Sequence, residues 1–142
     1  MKTIRRNTFE TNSSSTHCVT ICNSSETYFP ITFDNTTLEV TPGEFGWEYE
    51  FYDDFEDKVS YAYTYAINSG TPEDLELLKE VILENTNIER VIFSQTEDRW
   101  YSNGYIDHQS VDEAALIFEN KDSLTNFLFN KGSSVLTDND NH

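Results

Sequence analysis

The sequence predicts a single α+β domain with a mixed or antiparallel sheet and three to four helices. The chain has 142 residues, a length typical of one domain that buries a core of its own. Ten Phe, eight Tyr and two Trp supply the apolar surface that disordered chains lack. Segments typical of strands flank the helical segments without the regular alternation of a parallel βαβ fold, which favours the α+β class.

The strands are predicted from short segments rich in β-branched and aromatic residues. These segments are 16–22, 27–33, 37–41, 45–52, 88–94 and the C-terminal 134–137. Pro30 confines the second strand to a sheet edge or a bulge. Aromatic residues alternate with mainly acidic ones along 45–52, which predicts one aromatic face and one acidic face. The turn signal Ser102-Asn103-Gly104 predicts a hairpin over Trp100–His108.

Four helices are predicted from apolar residues at helical spacing. Their ranges are 54–70, 71–86, 111–119 and 122–130. The second has the clearest start, because Thr71 is an N-cap residue, Pro72 fits the first helical position and Asp74 completes a capping box. The other expected caps and stops are Asp53 or Asp54 and Gly70 for the first helix, Ser110 for the third, and Asp122 and Gly132 for the fourth.

The charge of the chain restricts its partners. It carries 26 acidic residues against 9 Lys and Arg, a formal net charge of −17. Direct binding to nucleic acid or to an anionic membrane is excluded, because such binding depends on Lys and Arg. The charge instead favours a basic protein partner.

The sequence also predicts a cytoplasmic protein with reduced thiols. Residues 1–15 lack the apolar run of a signal peptide, and no segment is long and apolar enough to be a transmembrane helix. If 16–22 is a strand, the α-carbons of Cys18 and Cys22 lie about 13 Å apart. A disulfide needs less than about 7 Å, so none is expected between them.

The acidic residues are concentrated in two segments. Nine lie between Asp34 and Asp57 without any Lys or Arg, and alternate residues of a strand would repeat about every 7 Å, as phosphates do along a nucleic-acid strand. In the second helix, Glu73, Glu76, Glu80 and Glu84 form a stripe whose like charges destabilise the helix. The hypothesis is a surface that mimics nucleic-acid phosphates, and the alternative is an ordinary solvated acidic surface. Its predicted partner-binding residues are Glu44, Glu48, Glu50, Asp53, Asp54, Glu56, Asp57, Glu76, Glu80 and Glu84.

A second candidate site combines basic, hydroxyl and histidine residues near the N-terminus. An anion could be held by Arg5, Arg6, Ser13, Ser14 and Ser15. An enzyme would use Ser14 or Ser15 as nucleophile with His17 as base, assisted by Asp107 and His108. The alternative is a polar turn before a strand, with His17 on the buried face shared by Val19 and Ile21.

No metal or cofactor is predicted. The three histidines show no H-x₃-H spacing, and the cysteines show no C-x₂-C spacing. Residues 138–140 resemble the start of a calcium loop, but the rest of that loop is missing. Residues 138–142 are therefore predicted to be a mobile tail.

Two segments resemble a group of small phage and prophage proteins. These are Arg6–His17, which contains the word F-E-T-N-S-S-S-T-H, and Gly104–Ser110. The resemblance implies an accessory protein of a mobile element. Proteins of that kind often counter host defence, including CRISPR-Cas effectors, and strongly acidic ones often act as nucleic-acid mimics.

Three functions follow from these observations. The first is an inhibitor that binds a basic nucleic-acid-handling effector such as Cas9 by electrostatic occlusion, with Tyr49, Tyr52 and Trp100 as aromatic anchors. The second is a small hydrolase, phosphoesterase or nucleotide-binding protein that uses the N-terminal Arg/Ser/His segment with Asp107 and His108. The third is a structural or regulatory phage protein with neither role.

Overall fold

The computed structural model describes residues 3–7, 15–28, 30–45, 49–94, 105–106 and 111–139. Within these ranges the chain forms four α-helices and several small sheets with antiparallel and parallel pairs, which confirms the predicted α+β class. The strands are β1 (Thr3–Asn7), β2 (Ser15–Cys22), β3 (Thr37–Val40), β4 (Glu44–Phe45), β5 (Glu50–Tyr52), β6 (Arg90–Phe93), β7 (Tyr105–Ile106) and β8 (Ser134–Asn139). The helices are α1 (Phe55–Asn68), α2 (Pro72–Asn85), α3 (Val111–Ala115) and α4 (Lys121–Phe129).

The largest sheet has the strand order β1-β2-β8-β5, and all of its pairs are antiparallel. Its centre is buried, since Val19 on β2 stands opposite Val135 on β8 and neither is more than 1% exposed. The strand β1 is not among the predicted elements. The predicted mobile tail is wrong at Asp138 and Asn139, because both belong to β8 and pair with β2.

Two short parallel pairs complete the described strands. One joins β3 to β6, and the other joins β4 to β7. The part of the predicted 100–108 hairpin that the structure describes, Tyr105–Ile106, pairs in parallel with Glu44–Phe45. The rest of that segment lies outside the described residues.

The single strand predicted for 45–52 is wrong. The chain instead forms β4 and β5 in different sheets, and the rings of Phe45 and Tyr52 meet at 5.2 Å, edge to face. In one straight strand these residues would point to opposite faces and lie about 23 Å apart. Both rings pack into the same core, and a single straight strand cannot place them there. Tyr49 and Phe51, which belong to the predicted aromatic face, are exposed.

The strand predicted for 27–33 is also wrong. Ser25–Thr27 form a 3₁₀ turn, Tyr28 makes one isolated bridge, and residues 30–33 have no regular secondary structure. The hydroxyl of Ser24 accepts the N–H of Glu26 at 3.1 Å and caps the turn. Pro30 has no N–H to donate to a ladder, so the local polar bonds prevail over β-propensity.

Most of the predicted helices are confirmed, but one cap is wrong. Asp54 caps α1 through the N–H of Asp57, and Thr71 forms the predicted capping box of α2 with Asp74. The N-cap of α4 is Asn120, which accepts the N–H of Ser123 at 2.8 Å, and Asp122 lies inside the first turn. The segment predicted as one helix over 111–119 is α3 followed by a 3₁₀ turn, Leu116–Phe118. Ser110 lies outside the described residues.

The core is built around α1, which is buried along most of its length. Nine of its 14 residues are buried, more than the single apolar stripe of a surface helix. Tyr61 has no exposed surface, and its ring lies 5.1 Å from Phe45 and 6.1 Å from Phe127. The helix thus joins the strand at 44–45 to α4.

A buried polar group ties α1 to the turn between α4 and β8. The side chain of Lys58 is 1% exposed, and its Nζ donates to the carbonyls of Asn130 at 2.9 Å and Ser133 at 3.1 Å. The carbonyl of Asn130 also accepts the N–H of Ser133 at 2.9 Å. Lys58 therefore adds a second donor to this carbonyl and satisfies the carbonyl of Ser133, whose burial without a partner would be costly.

The side chain of Asn130 extends this network to the N-terminal half. It is fully buried, and its Nδ2 donates to the carbonyl of Ser24 at 2.9 Å. Its Oδ1 accepts from the hydroxyl of Thr27 and from the N–H of Gly132. A Cβ at Gly132 would lie 2.8 Å from the Sγ of Cys22, so the turn requires glycine at this position. Cys18 and Cys22 are buried, and no disulfide joins them, in agreement with the prediction.

We expect Asn130→Ala to lower the free energy of unfolding by about 2 kcal/mol or more, because it removes a partner from the buried carbonyl of Ser24 and from the partly buried groups of Thr27 and Gly132. Urea unfolding measures this change. The control is Asn35→Ala, which removes an exposed amide before β3 and should change stability by less than about 0.5 kcal/mol. Equal shifts for the two variants would contradict the role of the network.

Candidate functional site

The acidic surface predicted from the sequence lies at β5 and the start of α1. We define the acidic cluster as Glu50, Asp53, Asp54, Glu56 and Asp57, of which the first four are exposed and the last is half-buried. Asp54 has a local role, since its carboxylate accepts the N–H of Asp57 at 2.8 Å as the N-cap of α1. The positive end of a helix favours carboxylates, which accounts for part of this concentration but not for Glu50 and Asp53.

The prediction of a regular repeat of carboxylates along one strand is wrong. Glu44 is exposed but belongs to β4, in a different sheet from Glu50, and Glu48 lies outside the described residues. The strand β5 is only three residues long. Carboxylates therefore come from a strand, a connection and a helix start, and form a compact group instead of a linear array.

The carboxylates of the cluster repel one another. Burial, the charge of Asp54 and the charges of Glu56 and Glu50 raise the pKa of Asp57 from 3.8 to about 6. The residue that follows it in sequence is a cation, Lys58, but that side chain is buried and bonded to backbone carbonyls. Its charge is therefore withdrawn from the surface, and the cluster holds excess negative charge at neutral pH.

Two aromatic side chains are exposed beside the acidic cluster. Tyr49 is 66% exposed and Phe51 is 56% exposed, and they flank Glu50 in sequence. Both lie at or next to β5, which forms one edge of the four-stranded sheet. Residues of this size are usually buried in a monomer, so their exposure is typical of a binding surface. Tyr52, one of the predicted anchors, is instead half-buried against Phe45, and Trp100 lies outside the described residues.

The acidic stripe on α2 is partly neutralised by α4. Lys121 Nζ lies 2.7 Å from Glu80 Oε2 and 2.7 Å from Glu84 Oε1. Hydrogen bonds to these two carboxylates raise the pKa of Lys121 to about 12. The expectation of an uncompensated stripe is therefore wrong at Glu80 and Glu84, although both, like Glu76, remain exposed. This pairing was not predictable from the sequence, because Lys121 is distant from Glu80 and Glu84 along the chain.

Only part of the N-terminal candidate site lies in the described residues. Arg5 and Arg6 belong to β1, opposite Thr20 and Val19, and Ser15 and His17 belong to β2. The remaining members, Ser13, Ser14, Asp107 and His108, lie outside the described residues. The hydrolase and nucleotide-binding alternative therefore stays a prediction.

One chemically distinctive residue, Lys58, was missed by the sequence analysis. A signal was present, because Lys58 lies three residues after Phe55 and four before Ala62 and so shares their buried helix face. Burial lowers the pKa of Lys58 to about 8, and the charges of Asp53 and Asp54 offset part of this effect. The side chain also lies 6.0 Å from the centre of the Phe127 ring.

Comparisons with protein-family models, curated proteins and solved structures gave no match to this chain. Among the described residues, no group of three or more His, Cys, Asp and Glu side chains is arranged to hold a metal ion. In the same part of the chain, no helix has the length and apolar character needed to cross a membrane.

We expect Asp57→Asn to become increasingly stabilising as the pH rises from about 4 to about 7. The raised pKa means that protonated Asp57 stabilises the fold below pH 3.8 and that this contribution is lost as the pH rises through about 6. Urea unfolding of both proteins across this pH range measures the difference. Thr36→Ser, at an exposed position before β3 that carries no titratable group, is the control, and its difference from wild type should not change with pH. A constant difference between wild type and Asp57→Asn would contradict the raised pKa of Asp57.

Proposed function

We propose that the protein is a phage-type accessory protein that inhibits a basic, nucleic-acid-handling defence effector in the cytoplasm of the host cell. A CRISPR-Cas effector such as Cas9 is the proposed target. The acidic cluster would occupy Lys and Arg side chains that otherwise hold guide or target phosphates. The observation that carries this proposal is the exposed acidic cluster at β5 and the start of α1, beside the exposed rings of Tyr49 and Phe51.

A basic partner would stabilise this surface by removing its repulsion. Each Lys or Arg placed among Glu50, Asp53 and Glu56 replaces a like-charge contact by an attractive one. Long-range attraction would also accelerate association and make it sensitive to salt. The compact arrangement suits a partner that presents several cations at one place, as a phosphate-binding groove does.

The exposed aromatic residues supply the contact area that charge alone does not. Arginine stacks on aromatic rings through its planar guanidinium, so Tyr49 and Phe51 suit the same basic surface as the acidic cluster. Desolvated aromatic side chains commonly dominate interface energetics, and the surrounding carboxylates would set orientation and rate.

Affinity for guide-loaded Cas9 should fall at least about tenfold when NaCl rises from about 100 to about 400 mM, because salt screens the attraction. Biolayer interferometry measures the affinity, and target-DNA cleavage in parallel reactions measures inhibition. An affinity that does not change with salt would contradict the electrostatic mechanism. Absence of both binding and inhibition would rule out Cas9 as the target.

Two triple variants, each lacking three negative charges, separate the local surface from the total charge. The cluster variant carries Glu50→Gln, Asp53→Asn and Glu56→Gln. The control carries Glu26→Gln, Glu89→Gln and Glu119→Gln, at exposed positions on other parts of the fold. The cluster variant should bind at least about tenfold more weakly, and the control should change affinity less than about threefold. Equal losses would show that only net charge matters.

Replacing Tyr49 and Phe51 together by Ser should weaken binding to the same effector by at least about tenfold, because two anchors are lost. The slope of affinity against salt should stay unchanged, since no charge is altered. A matched variant, Thr32→Ser with Thr41→Ser, changes exposed side chains and should bind as the wild type does. Unchanged affinity of the aromatic variant would remove these residues from the interface.

A further inference from the structure

A cleft of about 480 Å³ lies between the 30–32 segment, the start of α1 and the end of α4. This volume is within the range of small-molecule sites in proteins. Its apolar lining residues are Pro30, Ile31, Phe55, Leu128 and Phe129. Its charged lining residues are Asp53, Asp54, Lys58 and Lys131, and Thr32 completes the wall. The cleft therefore combines an apolar wall with charges of both signs.

The apolar wall is preformed. Phe55 and Phe129 stack with ring centres 5.2 Å apart, and Phe33 supports Phe55 from 5.4 Å. Phe55 is 8% exposed and Phe129 is 2% exposed, so the core holds both rings in place. Only the edges of these rings can border the cleft, and a ligand with an apolar body would pack against these edges and against the more exposed Pro30 and Ile31.

The buried charge in the cleft is Lys58. Its ammonium has three N–H donors, and the carbonyls of Asn130 and Ser133 accept two of them. Among the described residues, no carboxylate lies within ion-pair distance of Lys58, and no third acceptor contacts it. Burial of a cation without a paired anion is costly, as the lowered pKa of Lys58 reflects. An anionic group of a ligand would supply the missing partner.

The two aspartates of the cleft decide which anion fits. Asp53 and Asp54 lie close enough for their charges to act on Lys58, and both are exposed. They would repel a simple carboxylate, but they would attract a ligand that also carries an ammonium group. A purely cationic amine would in turn meet the positive charges of Lys58 and of Lys131, which is exposed and also lines the cleft. An apolar molecule would desolvate these charged groups without replacing their contacts with water.

We propose that this cleft binds a free α-amino acid with a hydrophobic side chain. The carboxylate would accept from Lys58, the ammonium would face Asp53 and Asp54, and the side chain would pack on Phe55 and Phe129. This site is separate in chemistry from the proposed binding of a basic effector, and its test uses the isolated protein. Its failure would leave the effector proposal unaffected.

Isothermal titration calorimetry with L-phenylalanine and L-leucine tests the proposal. Three analogues each lack one part of the ligand: 3-phenylpropionate lacks the ammonium, phenethylamine lacks the carboxylate and glycine lacks the side chain. Phenylalanine or leucine should bind with a Kd of about 1 mM or tighter, and each analogue should bind at least about tenfold more weakly. Binding of 3-phenylpropionate as tight as that of phenylalanine, or no binding of either amino acid at about 10 mM, would overturn the proposal.

Asp53→Asn is the variant to test, because Asp53 is exposed and is not the helix cap. It should weaken phenylalanine binding at least about fivefold and leave 3-phenylpropionate binding unchanged or tighter. Asp34→Asn is the matched control and should bind as the wild type does. Lys58→Met should abolish binding, and circular dichroism establishes whether that variant folds. Equal affinities of Asp53→Asn and Asp34→Asn for phenylalanine would contradict the assignment of the ammonium site.

Discussion

The buried hydrogen bonds of Lys58 are the interaction on which much of the remaining structure depends. They connect the central helix α1 to the turn after α4 through the carbonyls of Asn130 and Ser133. The side chain of Asn130 in turn forms hydrogen bonds with the carbonyl of Ser24 and the hydroxyl of Thr27, in the N-terminal half of the chain. Because each buried polar group in this network satisfies another, the network stabilises one arrangement of helix, turn and sheet over alternatives that would leave a group unpaired.

The same interaction shapes the electrostatics of the surface. Lys58 directly follows four carboxylates within six positions of the chain, and an exposed lysine there would neutralise part of the acidic cluster. Its burial instead leaves Glu50, Asp54 and Glu56 to repel Asp57, and this repulsion adds to burial, the largest cause, in raising the pKa of Asp57. On α2, by contrast, Lys121 reaches Glu80 and Glu84 from another helix and pairs with both. Of the two acidic segments, the one at α1 therefore has more to gain from a basic partner.

The start of α1 thus has two chemically different sides. Outward, the carboxylates and the exposed rings of Tyr49 and Phe51 suit a partner rich in Lys and Arg. Inward, the same segment borders a cleft where Lys58 and the Phe55–Phe129 stack suit a small amphipathic zwitterion. Asp53 contributes to both sides, so occupancy of the cleft would alter the charge that the outer surface presents.

Local features of the fold were predictable because they depend on neighbours along the chain. The caps of α1 and α2, the strand at β2 and the absence of a disulfide follow from short-range spacing and residue type. The segment 45–52 was not predictable, because its alternation suits a strand while its rings at Phe45 and Tyr52 must reach one core. The cap of α4 was not predictable either. Asn120 and Asp122 are both residues that favour the N-cap position, and packing decides that the helix starts after Asn120.

The sequence by itself determined the α+β class, the excess of negative charge and its concentration before α1. These properties depend on composition and periodicity, which need no knowledge of distant contacts. The tertiary structure alone decided which carboxylates stay unpaired, because Lys121 and Lys58 find their partners far away in the chain. It also decided that Tyr49 and Phe51 are exposed and that a lysine lines an apolar cleft. Charge pairing and burial are properties of three-dimensional proximity, and the order of residues along a chain does not fix proximity until the chain has folded.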